Sequence, residues 1–137
     1  ELYLYDASAI FNLVKRGELR VFLGGHTLDL AIYEVANAVW KECYLLKKIK
    51  IETAYRLIEL LSKVFDIIDL HTIKGFEKEV MDIAVKEGVT IYDASYIYIA
   101  MRDKLTLATD DRKLMDIARK YVSVATTSEI IERHYKK

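Results

Sequence analysis

The chain of 137 residues is poor in the features that mark secreted, membrane-bound and strongly basic proteins. Its single cysteine, Cys43, cannot form an internal disulfide, which fits a reducing compartment. It has no apolar run near the roughly 20 residues that cross a bilayer and no basic-then-apolar leader, so we expect a cytoplasmic protein without membrane contact. The 21 basic and 21 acidic residues leave no net charge, so any contact with nucleic acid must come from a local patch.

Several motifs are also missing. No Gly-rich phosphate loop is present, which disfavours the use of nucleoside triphosphates. The three histidines, His26, His71 and His134, lack ligand spacing such as i, i+4, so we read them as surface or loop residues and expect no zinc site. No linker, repeat or charge block divides the chain, and its length and hydrophobic fraction of 53% indicate a single domain spanning residues 1–137.

Strand-like and helix-like segments alternate along the chain. Short apolar runs predict five strands, at residues 2–5, 26–30, 66–70, 105–108 and 121–125. Amphipathic spacing and capping signals predict helices at residues 7–15, 18–23, 31–46, 52–64, 75–86, 91–102, 111–120 and 128–134. Because strands that alternate with helices need crossover connections, we predict an α/β fold, a three-layer α/β/α sandwich with a mostly parallel five-stranded sheet.

Four acidic residues lie near the carboxyl ends of the predicted strands, where open parallel sheets bind ligands. Asp6 follows the first strand, Asp111 lies three residues beyond the fourth, Glu34 lies early in the helix that leaves the second, and Asp93 lies at a helix start. Bringing carboxylates together is costly because like charges repel, and a hard cation would compensate for it. The pattern therefore predicts a metal-dependent hydrolase, with nucleic acid as the expected substrate.

Each acid also has a structural explanation. Asp6 could cap the following helix, and Glu34 could stabilise the positive end of its own helix. Thr90 and Asp93 have the spacing of a capping box, and Asp110 and Asp111 are common turn and cap residues. The predicted topology places all of them at one end of the sheet, and this shared position favours a site.

Four motifs in order carry a resemblance to PIN-domain nucleases, and in particular to the VapC-type toxins of prokaryotic toxin–antitoxin pairs. The motifs are Tyr5–Ala9 (YDASA), Tyr33–Trp40 (YEVANAVW), Ile91–Tyr96 (IYDASY) and Leu107–Leu114 (LATDDRKL), and the likeness covers nearly the whole chain. The resemblance implies an endoribonuclease that depends on Mg²⁺ or Mn²⁺. It also implies a homodimer and a VapB-like antitoxin protein whose tail reaches the acidic crevice.

The resemblance maps the catalytic acids to Asp6, Glu34, Asp93 and Asp111. The family's last motif is Thr or Ser, any residue, then Asp, which selects Asp111, and Asp110 stays an alternative metal contact. Because Mg²⁺ prefers oxygen ligands and keeps several waters, we assign Asp6 and Asp93 as its ligands, with Asp111 binding directly or through water. Glu34 is assigned to hold a water or to assist its deprotonation.

Supporting roles fall to polar neighbours of these acids, since ligand orientation tunes a metal site. Ser8, Asn37 and Thr109 are assigned such roles, because each lies two or three residues from one of the acids. Two basic pairs, Lys15–Arg16 and Arg112–Lys113, flank the site segments and rank first for contact with RNA phosphates. The tyrosines are read mostly as core or interface residues rather than as stacking partners for bases.

Two other functions stay open at this point. One is an RNA-processing nuclease of the same fold, for example one that matures ribosomal RNA. The other is a catalytically inert RNA- or protein-binding module, against which the intact set of acids argues. A response-regulator-like domain is disfavoured, because no lysine follows the last predicted strand.

Overall fold

Five short strands form one sheet in the computed structural model, which describes residues 2–136. All neighbouring strands are parallel, and their order is β3-β2-β1-β4-β5. The prediction of a five-stranded parallel sheet inside a three-layer α/β/α sandwich is confirmed. The strands are β1 (Tyr3–Tyr5), β2 (His26–Leu28), β3 (Asp69–His71), β4 (Thr106–Ala108) and β5 (Val124–Ala125).

Seven α-helices connect and cover these strands within residues 2–136. A 3₁₀ turn at Arg20–Phe22 precedes β2, and a π-helical segment at Lys41–Leu45 continues the second helix. No helix in the described part of the chain is long and apolar enough to span a membrane. The helices are α1 (Ala7–Lys15), α2 (Leu30–Trp40), α3 (Ile51–Ile67), α4 (Glu77–Glu87), α5 (Ile91–Asp103), α6 (Arg112–Ala118) and α7 (Thr127–Tyr135).

The sheet separates two hydrophobic cores. Successive side chains of a strand point to opposite faces, and β1 shows this directly. Tyr5 packs with the helices α1, α2, α3 and α7, whereas Leu4 packs with α4, α5 and α6. Both residues are fully buried, so the sheet is covered on both faces.

The strand order reverses at β1, the middle strand of the sheet. The strands β2 and β3 extend to one side of it, and β4 and β5 extend to the other. Tyr5 pairs with Ala108, and the Asp6 N–H donates to the Ala108 carbonyl at 3.0 Å. The residues that follow β1 and β4 therefore leave the sheet side by side at its carboxyl edge, at a switch point in strand order.

The third strand was predicted too early in the chain. Residues 66–70 were predicted to form it, but α3 continues to Ile67 and β3 covers only Asp69–His71. The adjacent β-branched residues Ile67 and Ile68 favour a strand locally. Leu61 and Val64 form a buried stripe with helical spacing, and the Ile68 N–H still donates to the Val64 carbonyl at 3.1 Å. Packing of this stripe against the core therefore extends α3 to Ile67, and Ile68 follows it in an extended conformation. The fifth strand is likewise shorter than predicted, because a turn occupies residues 119–122.

Two of the histidines are not loop residues, which corrects their assignment. His26 lies in β2 and His71 in the neighbouring β3, and both are partly buried. Parallel pairing places His26 Nδ1 and His71 Nε2 2.9 Å apart, while His71 Nδ1 lies 3.5 Å from Asp103 Oδ2. The ring centroids are 5.1 Å apart, which is the arrangement of a nearly straight N–H···N hydrogen bond. Burial lowers the pKa of His71.

We predict that Gly25→Ala destabilises the fold by about 1–3 kcal/mol, because the space beside this residue is filled. A Cβ there would lie 2.7 Å from the Tyr5 ring and 3.0 Å from the Phe22 carbonyl oxygen. Urea unfolding measures the change. In a Tyr5→Leu background the same substitution should cost less, and an equal cost in both backgrounds would contradict this packing argument.

Candidate active site

Asp6 is held rigidly at the end of β1. It caps α1, with Oδ1 accepting from the Ala9 N–H at 2.8 Å and from the Ser8 hydroxyl at 2.7 Å. Its Oδ2 accepts from the Thr109 hydroxyl at 2.5 Å. Only 5% of Asp6 is exposed, and burial raises its pKa to about 6 in spite of these three hydrogen bonds, with the charge of Asp111 adding to the rise. The structure thus places Ser8 and Thr109 against Asp6, as supporting residues would lie.

Asp111 approaches the same point from β4. Its N–H donates to the Thr109 hydroxyl at 3.0 Å, and its Oδ1 caps α6 by accepting from the Lys113 and Leu114 N–H groups. Asp111 and Asp6 are therefore joined through one buried threonine. Both acids are helix caps and both lie at the shared edge, so the capping role and the site role coexist.

Glu34 and Asp93 come from α2 and α5, and both are partly buried. Burial is the main cause that raises the pKa of each carboxyl. The charge of Asp93 further raises the pKa of Glu34, and the charge of Asp111 further raises that of Asp93. The Thr90 side chain caps α5 by accepting from the Asp93 N–H at 3.1 Å. The four acids thus form an electrostatically connected series, from Asp6 through Asp111 and Asp93 to Glu34.

This series suits a hard divalent cation. All of its charged donors are carboxylate oxygens, which Mg²⁺ and Mn²⁺ prefer, and like charges that raise one another's pKa values favour a positive charge between them. Among residues 2–136, no group of three or more Asp, Glu, His or Cys side chains is arranged so that it could hold a metal ion by itself. Mg²⁺ does not require one, because it is commonly held by one or two carboxylates and retains several waters.

Asp110 points to different partners from those of Asp111. Its Oδ1 accepts from the Thr127 N–H at 2.9 Å, and its Oδ2 accepts from the Thr127 hydroxyl and the Asn12 amide, both at 2.7 Å. These contacts tie the loop after β4 to α1 and α7. Both Asp110 oxygens are engaged in joining elements, whereas the charge of Asp111 acts on Asp6 and Asp93.

Tyr96 belongs to the site although sequence reasoning placed it only in an apolar helix. Its hydroxyl donates to Glu34 Oε1 at 2.8 Å. Only 2% of Tyr96 is exposed, and burial beside Glu34 raises its pKa far above the ordinary range. The signal was its spacing, since Tyr96 lies three residues after Asp93 and so on the same side of α5.

The basic residues divide into two groups. Arg112 and Lys113 are exposed at the start of α6, and the charge of Lys113 lowers the pKa of Asp93, which places it beside the acids. Lys15 and Arg16 lie at the other end of α1, about 14 Å from Asp6 at 1.5 Å per residue. Lys15 there bonds Glu42 at 3.0 Å. The structure does not bring this second pair to the site.

Asn37 follows Glu34 by one turn of α2 and is exposed. Its side chain is therefore available on the open side of the helix that carries Glu34. It is not part of the hydrogen-bond network described around Asp6.

The four carboxylates at the switch point of this parallel sandwich form a candidate active site, and comparison with known proteins gives the family. No protein-family profile matches the chain. Ribonuclease VapC3 of Pyrobaculum aerophilum is 38% identical over 103 residues, covering 74% of each chain. Exonuclease VapC9 of the same organism is 34% identical over 131 residues, covering 90% of this chain and 91% of that protein.

A solved structure agrees with these sequence relatives. The crystal structure of PAE2754 from Pyrobaculum aerophilum matches with a TM-score of 0.80 at 30% identity, covering 98% of this chain and 90% of the other. The chain therefore belongs to the VapC family of PIN-domain nucleases.

We predict that Asp93→Asn stabilises the metal-free protein at pH 7 by about 0.5–1 kcal/mol, because it removes one charge from a repelling set. The folded-state pKa of Asp93 is raised, so its ionised form destabilises the native state. The gain should be present at pH 7 and fade near pH 3, below the pKa of about 3.9 in the unfolded chain, where the carboxyl is mostly protonated in both states.

Thermal unfolding in EDTA at the two pH values measures this effect. Asp82→Asn, at an exposed position of α4, is the matched control and should show no gain at either pH. A destabilised Asp93→Asn protein at pH 7 would contradict the repulsion.

Proposed function

We propose that this nuclease is the toxin of a toxin–antitoxin pair and that it hydrolyses phosphodiester bonds of RNA with the help of Mg²⁺ or Mn²⁺. The observation that carries the proposal is the gathering of four carboxylates at the switch point, where burial and the charges of Asp111 and Asp93 raise the pKa values of Asp6, Glu34 and Asp93. Acids whose pKa values are raised by burial and by like charges are common at functional sites. The name of one relative, a ribonuclease, supports RNA as the substrate.

The bound ion would supply positive charge at the scissile phosphate and make its bound water easier to deprotonate. Asp6, Asp93 and Asp111 are the residues that would hold it. Asp6 contributes a fixed orientation, because both of its oxygens are already bonded to groups of the protein. A carboxylate that the protein already holds in place loses little conformational freedom when it binds a metal ion.

Glu34 is suited to orient the attacking water and to accept its proton. Its raised pKa makes it a better base than an exposed carboxylate, and the Tyr96 hydroxyl fixes one of its oxygens. Arg112 and Lys113, at the other side of the acids, are suited to contact the phosphates of the strand.

Partners form part of the same proposal. Between α2 and α3 lies an apolar groove of about 370 Å³ with the exposed side chains of Trp40, Tyr44, Ile51 and Tyr55. Exposed apolar surface of this kind marks protein–protein contacts. The groove supports association with a VapB-like antitoxin and with a second copy of the chain. The proposal places this association in the cytoplasm.

We expect purified protein to cleave single-stranded RNA in Mg²⁺ or Mn²⁺ and to lose this activity in EDTA. Asp93→Asn should lower the rate by about 100-fold or more, since it removes a proposed ligand, while Asp82→Asn should not. Gel analysis of end-labelled RNA reports the rate, and internal fragments distinguish endonucleolytic from exonucleolytic cutting. Cleavage that persists in EDTA, or in Asp93→Asn at the wild-type rate, would rule out the proposal.

A second prediction concerns Tyr96 as a positioning residue. Tyr96→Phe should lower kcat by about tenfold with little change in KM, because Glu34 loses the group that orients it. The hydrogen bond from Tyr96 lowers the pKa of Glu34, so its loss should move the acid limb of the pH–rate profile to higher pH.

Tyr98→Phe is the control, since it removes a hydroxyl from the same helix outside the acidic series. Steady-state kinetics between pH 5 and 9 give both quantities. A Tyr96→Phe profile that coincides with the wild-type profile would exclude this role.

A further inference from the structure

An apolar pocket of about 280 Å³ opens beside the acidic series. It lies at the carboxyl ends of β2 and β3, between the starts of α2 and α5. Nothing in the catalytic proposal uses it. Its walls include Leu28, Leu30, Tyr33, Ile73, Ile91 and Tyr92.

Two exposed tyrosines mark its rim. Tyr33 is 77% exposed and directly precedes Glu34, and Tyr92 is 58% exposed and directly precedes Asp93. Neighbouring side chains of a helix diverge by about 100°, so these rings flank the acids rather than enter their network. Two large rings left in solvent at an active edge are available to a ligand.

The pocket has the size and lining for a flat, mostly apolar group. Sites for whole small molecules usually enclose about 300–1,000 Å³, and this one lies just below that range. Its walls are mainly aliphatic and aromatic, with Asp29, Thr72 and Ser95 as the polar members, and none of the lining residues is positively charged for a phosphate. A nucleobase fits these properties, because its faces stack on aromatic rings irrespective of sequence.

The sheet orders three kinds of surface along one edge. The tyrosine pocket lies at β2 and β3, the acids lie around β1 and β4, and the exposed Arg112 and Lys113 lie at the start of α6 after β4. A strand laid along this edge would place a base at one side of the acids and phosphates at the other. Only an unpaired base can leave its stack to enter such a pocket.

We propose that the pocket between Tyr33 and Tyr92 binds one unpaired base of the nucleic acid that the acids cut. This inference rests on the proposed function for the identity of its ligand. It adds that the substrate is unpaired where it meets this pocket, and it gives the two tyrosines a binding role without a part in the chemistry.

The test compares binding of two probes of equal length. One is a single-stranded RNA decamer of mixed sequence, and the other is a decamer in which abasic units replace every nucleotide. Both are titrated by fluorescence anisotropy into protein carrying Asp93→Asn, so that the RNA stays intact. The two probes have the same sugar-phosphate backbone and the same number of binding registers. The ratio of their affinities therefore reports base contacts alone.

We expect the RNA to bind about tenfold or more tightly than the abasic decamer, the usual effect of one stacked base. Adding Tyr33→Leu and Tyr92→Leu should reduce the ratio to about threefold or less, because leucine keeps the pocket apolar but lacks a flat face. Tyr135→Leu, at a 63% exposed tyrosine of α7, should leave the ratio unchanged. Both replaced side chains are exposed, and thermal unfolding verifies that the variants fold.

A ratio that is close to one before the tyrosines are changed would overturn the proposal, as would a ratio that the two leucines leave unchanged. If the leucines alter only the oligomeric state, measured by light scattering, this face is a protein–protein contact and the proposal fails. Cleavage of RNA by the wild-type chain, measured separately, tests the proposed function. A tyrosine-dependent ratio without cleavage would refute that function and leave the base pocket standing.

Discussion

The pairing of β1 with β4 is the contact on which the rest of the site depends. It places Tyr5 opposite Ala108, so Asp6 and Thr109 leave the sheet at the same level and bond through the Thr109 hydroxyl. The connections that follow β1 and β4 run to opposite sides of this pair of strands. The carboxyl edge between them is therefore left open to a ligand. Glu34 and Asp93 then reach the opening from helices that begin at the same edge.

The gathered carboxylates destabilise the metal-free protein. They also make the carboxyl edge of the sheet suitable for binding a cation. Burial and mutual repulsion raise the pKa values of Asp6, Glu34 and Asp93. Part of this cost is offset because Asp6 and Asp111 cap α1 and α6, where backbone N–H groups favour negative charge. The caps also fix the direction of the oxygens. Stability and preorganisation therefore arise from the same hydrogen bonds.

The sequence predicts most of the framework because its local signals agree with the tertiary fold. The helix α1 has the predicted bounds, since Asp6 gives a cap signal and the apolar spacing continues to Lys15. The third strand was misplaced because Ile67 and Ile68 favour a strand locally, while the packing that continues α3 to Ile67 is a tertiary effect. The His26–His71 contact likewise depends on strand register, which no i, i+4 pattern records.

The site, like the fold, has features that the sequence predicts and features that only the tertiary structure determines. The motifs predict which acids lie at the carboxyl edge, because that edge follows from the order of strands and helices. The motifs give no physical reason to choose between Asp110 and Asp111 as the fourth acid. That distinction requires the positions of Asn12 and Thr127, which come from distant parts of the chain and engage Asp110. The partner of Glu34 is Tyr96, 62 residues away. The spacing of Tyr96 after Asp93 indicates its side of α5, but only the tertiary fold shows that its hydroxyl meets Glu34.

Anomalous diffraction from crystals soaked in Mn²⁺ tests the central claim most directly. The account predicts a manganese peak at the carboxyl edge between β1 and β4, with oxygens of Asp6, Asp93 or Asp111 at about 2.1 Å or joined through water. A fully soaked crystal with no peak at this edge, or with its peak on other residues, would contradict it.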